Sequence, residues 1–297
     1  MTHLDIATWQ KRALAQTELI LTRYLPSDKT NPTLLHQAMQ YALLGGGKRI
    51  RAMLVMAASS IGESDEQAVE QAVCAVEMIH AYSLVHDDLP SMDNDILRRG
   101  KPTCHVVFGE AQALLAGDAL QTLAFDVLSR HNNLPAVQQL ESIKTLAIAS
   151  GSLGMAGGQS IDLSHIGQQL SQSQLETMHN MKTGALICAA VKLGALSCFE
   201  HDKNTIQALH NYATAIGLAF QVVDDILDNQ SDSSTLGKTA GKDADNNKPT
   251  FVSLLGIDGA KTYAEDLYNK AYLIAQDIPI AGNILQMLAK LIIKRNY

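Results

Sequence analysis

Two acidic clusters, Asp87-Asp88-Leu89-Pro90-Ser91-Met92-Asp93 and Asp224-Asp225-Ile226-Leu227-Asp228, each close a stretch of apolar, helix-forming residues. Taking an ionised carboxylate out of water without a partner costs on the order of several kcal/mol, so acids in such places are expected to pair or to hold a metal. Donors that are all oxygen, with no cysteine among them, suit a hard cation such as Mg²⁺. Asp224 and Asp228 are four apart and share one helical face. Asp87 and Asp93 are six apart and would diverge on an unbroken helix. Pro90 removes that difficulty: its ring clashes with the carbonyl of His86 and ends or bulges the helix, so that the loop can return Asp93 towards Asp87.

The basic residues gather locally although the chain carries a net charge of −7. They form three groups: Lys48, Arg49 and Arg51; Arg98, Arg99 and Lys101; Lys238, Lys242 and Lys248. Cations beside metal-binding acids point to a small polyanion, and a phosphate ester held through both metal and Arg/Lys fits best. The acidic total argues against nucleic acid as a partner. In Gly45-Gly46-Gly47-Lys48-Arg49-Ile50-Arg51 a flexible backbone leads into three cations at a helix start, where N–H groups and side chains would both face an anion; a solvated basic turn is the plain alternative. Gly151 to Gln159 is glycine-rich but has no preceding strand and no G-x-x-x-x-G-K-[ST] pattern, so it reads as close helix packing.

The elements that must position these groups are helical. Apolar residues recur at helical spacing nearly throughout, as in Leu14, Thr17, Leu21, Tyr24 and Leu25 or Ile284, Leu285, Leu288, Leu291 and Ile292, and sustained period-two alternation is hard to find. The expectation is an all-α protein, with breaks at 26–32, 45–47, 62–65, 90–102, 131–135 and 201–204. At 46% hydrophobic and 18% charged, the 297 residues exclude a disordered chain. No boundary divides them, so 1–297 is read as one domain with a polar mobile loop at 229–250, a length often used for lids. Four cysteines without C-x-x-C spacing read as reduced residues of a cytoplasmic protein. The first residues lack an apolar signal-peptide core, and no run approaches the roughly 18 apolar residues of a membrane span.

Taken together, several segments resemble the trans-prenyltransferases, or polyprenyl synthetases, and in particular their bacterial members that stop at fifteen carbons. They are GGGKRIR at 45–51, IHAYSLVHDDLPSMDNDILRRGKPTCH at 79–105, GEAQALLAGDALQTLAF at 109–125, GMAGGQSIDL at 154–163, KTGAL at 182–186, GLAFQVVDDILD at 217–228 and GKTAGKDADNNKPTFVSLLG at 237–256. The resemblance implies a single helical bundle around a deep central cavity, the isoprenoid synthase fold, with the acid motifs facing each other across its mouth. It implies Mg²⁺, three ions with diphosphate bound and Mn²⁺ as a substitute, ligated by Asp87, Asp93 and Asp224. Asp88, Asp225 and Asp228 would hold bound waters or brace those ligands. Arg98, Lys182, Lys238 and Lys248 would contact the allylic diphosphate, and Lys48, Arg51, His80 and Arg99 that of isopentenyl diphosphate. The Thr183 carbonyl and Gln221 amide would turn towards a developing carbocation. Tyr82 and Ser83 would set chain length, Tyr82 lying about 7.5 Å along the helix from Asp87.

The activity that this resemblance implies is Mg²⁺-dependent condensation of isopentenyl diphosphate with dimethylallyl and then geranyl diphosphate to a fifteen-carbon product, by a homodimer. His86 is expected to bond backbone at the helix end rather than a metal, and His105, Gln159, Asp162 and Glu77 to be structural polar groups. Competing readings are a synthase of twenty carbons or more and a non-catalytic partner subunit, which would usually lack one acid motif. A terpene cyclase would carry an Asn/Asp, Ser/Thr, Glu triad where this chain has DDILD. A helical bundle with incidental acids leaves the cation groups unexplained.

Overall fold

The structure, a computed structural model, describes residues 6–44, 46–200, 202–230 and 249–293. Thirteen α-helices are described: α1 Ile6–Tyr24, α2 Thr33–Leu43, α3 Ile50–Ala58, α4 Glu66–Asp87, α5 Cys104–Phe108, α6 Glu110–Ser129, α7 Ala136–Ser150, α8 Met155–Ser164, α9 Gln172–His179, α10 Ala185–Leu196, α11 Lys203–Gln230, α12 Phe251–Gln276 and α13 Gly282–Ile293. The expected breaks at 26–32, 62–65, 90–102 and 131–135 fall between helices, as do the described residues of 45–47, whereas that at 201–204 runs into the start of α11 at Lys203. Others were not foreseen, at 109, 165–171 and 277–281, together with a break inside α12 at Gly256. Asn229 and Gln230, read as loop, still belong to α11; the rest of that loop, 231–248, with Lys238, Lys242 and Lys248, lies outside the described residues.

The helix that carries the first acid motif runs through the interior. Asp65 caps α4 by accepting from the Ala68 amide at 2.7 Å, and the residues from Ala72 to Ile79 are all buried, as expected of a helix that is apolar all round. It packs on α6, while α11 packs on α12 and α10 on α3. One apolar cluster gathers α1 to α7, α10 and α13; a second is built from Leu175, Met178, Val222, Ile226, Phe251 and Ala264 of α9, α11 and α12. Helix α11 contributes to both, through Tyr212 and Ile216 to the first and Val222 and Ile226 to the second.

Two local departures from α-helix bear on the site. Residues Asn180–Gly184 form a π turn that joins α9 to α10 without a break. Among the described residues, the named strands are a hairpin, β1 Leu97–Arg98 against β2 Lys101–Pro102. Its two central residues, Arg99 and Gly100, have φ of +54° and +74°, the primed turn geometry that suits a two-residue hairpin and favours Gly. Sequence periodicity could not reveal strands of two residues. No described helix is long and apolar enough to cross a membrane.

Arg49 is a structural cation, against its grouping in the sequence with two site residues. It caps α3 with φ +49°, and its side chain turns inward, donating to Glu18 at 2.7 Å, Glu77 at 3.1 Å and the Leu43 carbonyl at 2.7 Å. Glu77, a structural polar group as expected, also accepts from the Ala52 amide at 3.1 Å. The Arg49 and Glu77 side chains are only 4% and 3% exposed, so removing the cation strands a buried carboxylate. Arg49→Ala is expected to lower unfolding free energy by about 3–5 kcal/mol. Denaturant titration checks this; a loss below about 1 kcal/mol would show the pair to be worth no more than a surface ion pair.

Candidate active site

A cavity of about 930 Å³ opens between α3, α4, the hairpin, α8, the π turn and α11. Both acid motifs reach its wall, Asp87 from α4 and Asp224 and Asp228 from α11. Lys48, Arg51, His80, Arg98, Arg99, Lys182, Thr183, Tyr82 and Ser83 line it as well. Asp93, Asp88, Gln221 and Asp225 do not form its wall.

The first motif is shaped as Pro90 led us to expect. Helix α4 ends at Asp87, and the Asp93 amide donates to the Asp87 carbonyl at 2.8 Å, which brings the seventh residue back beside the first. Burial is the main cause that lifts the Asp87 carboxyl from its ordinary 3.8 to about 6; Asp93 and Asp88 push the same way, against Lys182 and Arg98. Asp88 faces the other way. It is 3% exposed and accepts a fork of bonds from Arg98, Nε at 2.8–2.9 Å and Nη2 at 2.6 Å. Burial pushes the Asp88 carboxyl up and Arg98 opposes it. Arg98, which the resemblance implies on the allylic diphosphate, is the anchor that ties the hairpin to the end of α4.

The second motif repeats the arrangement. Successive residues on a helix point about 100° apart, so Asp224 faces the cavity and Asp225, 4% exposed, faces inward. Asp225 accepts from Gln221 Nε2 at 2.9 Å and from the Phe251 amide at 2.8 Å, pinning the first turn of α12 to α11. Thr250 and Ser253 complete that helix start with a capping box. Gln221 is committed behind the wall, its Oε1 accepting from the Thr183 hydroxyl at 3.2 Å.

The cations cluster around His80. Burial, then Arg51, Arg99 and Arg98, hold its imidazole well below the ordinary 6.5, so it is neutral at pH 7. Arg99, at the hairpin turn, donates to the Gly46 carbonyl, and a Cβ on Gly47 would sit 2.8 Å from its guanidinium carbon. That close approach, together with φ +134°, explains glycine at 47. Lys182 projects from the π turn and donates to Asp162 at 2.5 Å. Two helices close on that turn through glycines: a Cβ on Gly158 of α8 would meet the Lys182 amide nitrogen at 2.1 Å, and one on Gly217 of α11 would meet Gly184 at 2.9 Å. Asp162, 5% exposed, was read as a structural group; its role as the Lys182 partner was hidden because twenty residues separate them, and a lone acid in an apolar helix was the only signal. His86 does bond backbone, but across to the Leu114 carbonyl of α6 at 3.0 Å.

Among the described residues no three acid, His or Cys side chains converge to hold an ion by themselves. The donor set nevertheless fits magnesium, which prefers one or two carboxylates supplemented by water and substrate phosphate oxygens to an all-protein cage. The unneutralised burial at Asp87 is what a divalent cation would relieve.

Comparison with known proteins agrees with this geometry. A family model described as polyprenyl synthetase matches residues 32–279. Farnesyl diphosphate synthase of Haemophilus influenzae is 48% identical over 289 residues, spanning 95% of this chain and 97% of its own. The Escherichia coli farnesyl diphosphate synthase is 44% identical, spanning 99% and 100%. A solved geranyltransferase from Helicobacter pylori, complexed with magnesium and isoprenyl diphosphate, superposes with a TM-score of 0.89 at 30% identity over 99% of both chains. The fold is that of the isoprenoid synthases, an all-α architecture built around one large cavity. Within it, the chain belongs to the polyprenyl synthetase family.

The raised Asp87 carboxyl has a sign that can be measured. With the folded-state value near 6 and the ordinary one at 3.8, the metal-free native state binds the extra proton, so ionising Asp87 opposes folding above about pH 6 and that penalty fades as pH falls towards 4. Relative to Asp87→Asn, metal-free wild type should therefore gain thermal stability between pH 6.5 and pH 4.5. A difference between the two melting temperatures that stays flat over this range would refute the shift.

Proposed function

We propose that this protein is a farnesyl diphosphate synthase: it condenses isopentenyl diphosphate with dimethylallyl and then geranyl diphosphate. The observation that carries the reading is that carboxylates from two helices and a separate cation group line one largely apolar cavity with an aromatic ring in its wall. The names of the relatives support it, and so does the preservation of both acid motifs, which a silent partner subunit would not need.

Asp87, Asp93 and Asp224 would hold Mg²⁺, braced by Asp228 and by the anchored Asp88 and Asp225; Mn²⁺ could substitute. When bound, the ions neutralise the charge that builds on a departing diphosphate. Lys182, steadied by Asp162, adds a positive charge at the same place, with Lys238 and Lys248 as further candidates. Lys48, Arg51 and Arg99 bind the diphosphate of isopentenyl diphosphate; neutral His80 donates a hydrogen bond without competing for charge. As the allylic C–O bond breaks, the apolar wall of Leu84, Met155 and Phe220 keeps water from the cation. The carbonyl of Thr183, whose hydroxyl is held by Gln221, would turn towards that charge. The double bond of isopentenyl diphosphate attacks C1, a C–C bond forms, and the proton lost passes to the released diphosphate. The Tyr82 ring, about 7.5 Å along α4 from Asp87, stands where the growing tail ends, and this favours fifteen carbons over twenty.

We read the chain as one domain, because α11 belongs to both apolar clusters. We also read it as a cytoplasmic homodimer. Leu114, Leu115, Val137 and Leu140 leave exposed apolar surface on α6 and α7, which a second copy would cover, and all four cysteines are free. A single-chain mass of 32.1 kDa in light scattering would exclude the dimer.

Incubating purified protein with isopentenyl diphosphate and each allylic starter tests the activity. The expected main product is farnesyl diphosphate, made only with divalent metal present. Asp224→Ala should abolish most turnover while the protein remains folded. Arg99→Ala should raise KM for isopentenyl diphosphate about tenfold to a hundredfold, the effect of losing a bond worth about 1.5–3 kcal/mol, and leave that for the allylic substrate nearly unchanged. Absence of any elongated product would sink the reading.

A further inference from the structure

The wall around Tyr82 is assembled from two helices. A Cβ on Gly117, buried in α6, would lie 2.1 Å from His86 Nε2 and 2.4 Å from His86 Cδ2, closer than any non-bonded carbon can come. The His86 ring of α4 therefore occupies the volume where any other residue at 117 would place its first carbon. From that socket His86 Nε2 reaches the Leu114 carbonyl at 3.0 Å, which makes Nε2 the protonated nitrogen, and Asp118 lies 3.8 Å away. The other side of the ring meets Tyr82 edge-on, with centroids 5.6 Å apart and planes at 76°. The Tyr82 hydroxyl lies near the side chain of Gln121, one turn beyond Gly117 on the same helix. Both rings line the cavity.

We infer that Gly117 and His86 are positioning residues for the aromatic ring that ends the cavity, so that product length depends on the closeness of α4 and α6 and not on Tyr82 alone. This rests on the elongation reading above. The chain of contact is short: the missing side chain at 117 seats His86, and His86 supports one edge of Tyr82. An alanine at 117 takes the volume of the imidazole, which must leave its socket and with it the bond to Leu114 and the edge contact to Tyr82. Truncating His86 removes that contact directly. Either change leaves Tyr82 without that support, free to swing aside before a lengthening chain. A residue important merely for packing would slow the enzyme or lower its melting temperature without altering the ratio of products.

The test compares product-length distributions of wild type, Gly117→Ala, His86→Ala and the double variant at matched turnover. Both single variants should raise the proportion of twenty-carbon and longer product several-fold. In the double variant Gly117→Ala should add nothing, since no ring remains to be displaced. A second readout needs no activity: in protein carrying ¹³C-labelled tyrosine, the Tyr82 ring resonance, assigned with Tyr82→Phe, should shift in both single variants. If Gly117→Ala fails to fold, His86→Ala decides alone. An unchanged product ratio in active His86→Ala protein, additive effects in the double variant, or an unmoved Tyr82 resonance would each overturn the inference. A wild type that elongates nothing would instead overturn the elongation reading, and the resonance would then decide whether His86 seats Tyr82.

Discussion

Carboxylates must be brought to the wall of an apolar cavity, and within each motif the protein satisfies one acid so that its neighbour can be left to the cavity. Asp88 is saturated by the Arg98 fork and Asp225 by Gln221 and the Phe251 amide. Asp87 and Asp224, one residue earlier in each case, face the cavity. The doubled aspartate is thus a division of labour set by the 100° step of a helix. One carboxylate fixes the architecture and the other is left facing the cavity. The anchored acids also determine what surrounds them: Asp88 fixes the hairpin that carries Arg99, and Asp225 fixes where α12 begins.

The cations follow the same division. Arg49 is buried against Glu77 while its neighbours Lys48 and Arg51 line the cavity, and Arg98 holds Asp88 while Arg99 sits at the turn. In each basic segment one residue locks the backbone that presents the next. Lys182 joins the two functions, since it is bound to Asp162 and lies close enough to Asp87 to oppose the upward shift of its carboxyl. A site so arranged meets a highly charged ligand with side chains already fixed in place, and this preorganisation is what electrostatic catalysis requires.

Much of this was legible in the sequence, and the unread parts share a cause. Helical periodicity and breaker residues gave the all-α architecture, and the Pro90 argument anticipated the return of Asp93 to Asp87. What periodicity could not supply was the second partner in each long-range contact. That Asp88 belongs to Arg98, Asp225 to Phe251, Lys182 to Asp162 and His86 to Leu114 depends on helix packing, which one sequence does not encode in any local pattern. The hairpin was missed because two-residue strands have no period. The π turn was missed because Asn180–Gly184 differs from ordinary helix by hydrogen-bond register alone.

That π turn carries a consequence for how the chain tolerates change in length. A π turn is a helix holding one residue more than its α-helical ladder requires. Deleting a single residue between Asn180 and Gly184 would let α9 and α10 fuse into one regular helix, a locally favourable outcome. The wide turn already absorbs that residue, so the faces downstream would keep their orientation to those upstream; it is the full sequence drawn into an unbroken α-helix that would be rotated downstream by about 100°. In that unbroken helix Leu186, Ile187 and Ala190, all buried, would turn off the core, and Lys182 would lose its aim at Asp162. The extra residue therefore acts as a phase shifter between two halves of one rod. A reading frame of side chains is set there once, and both the site and the core downstream depend on it.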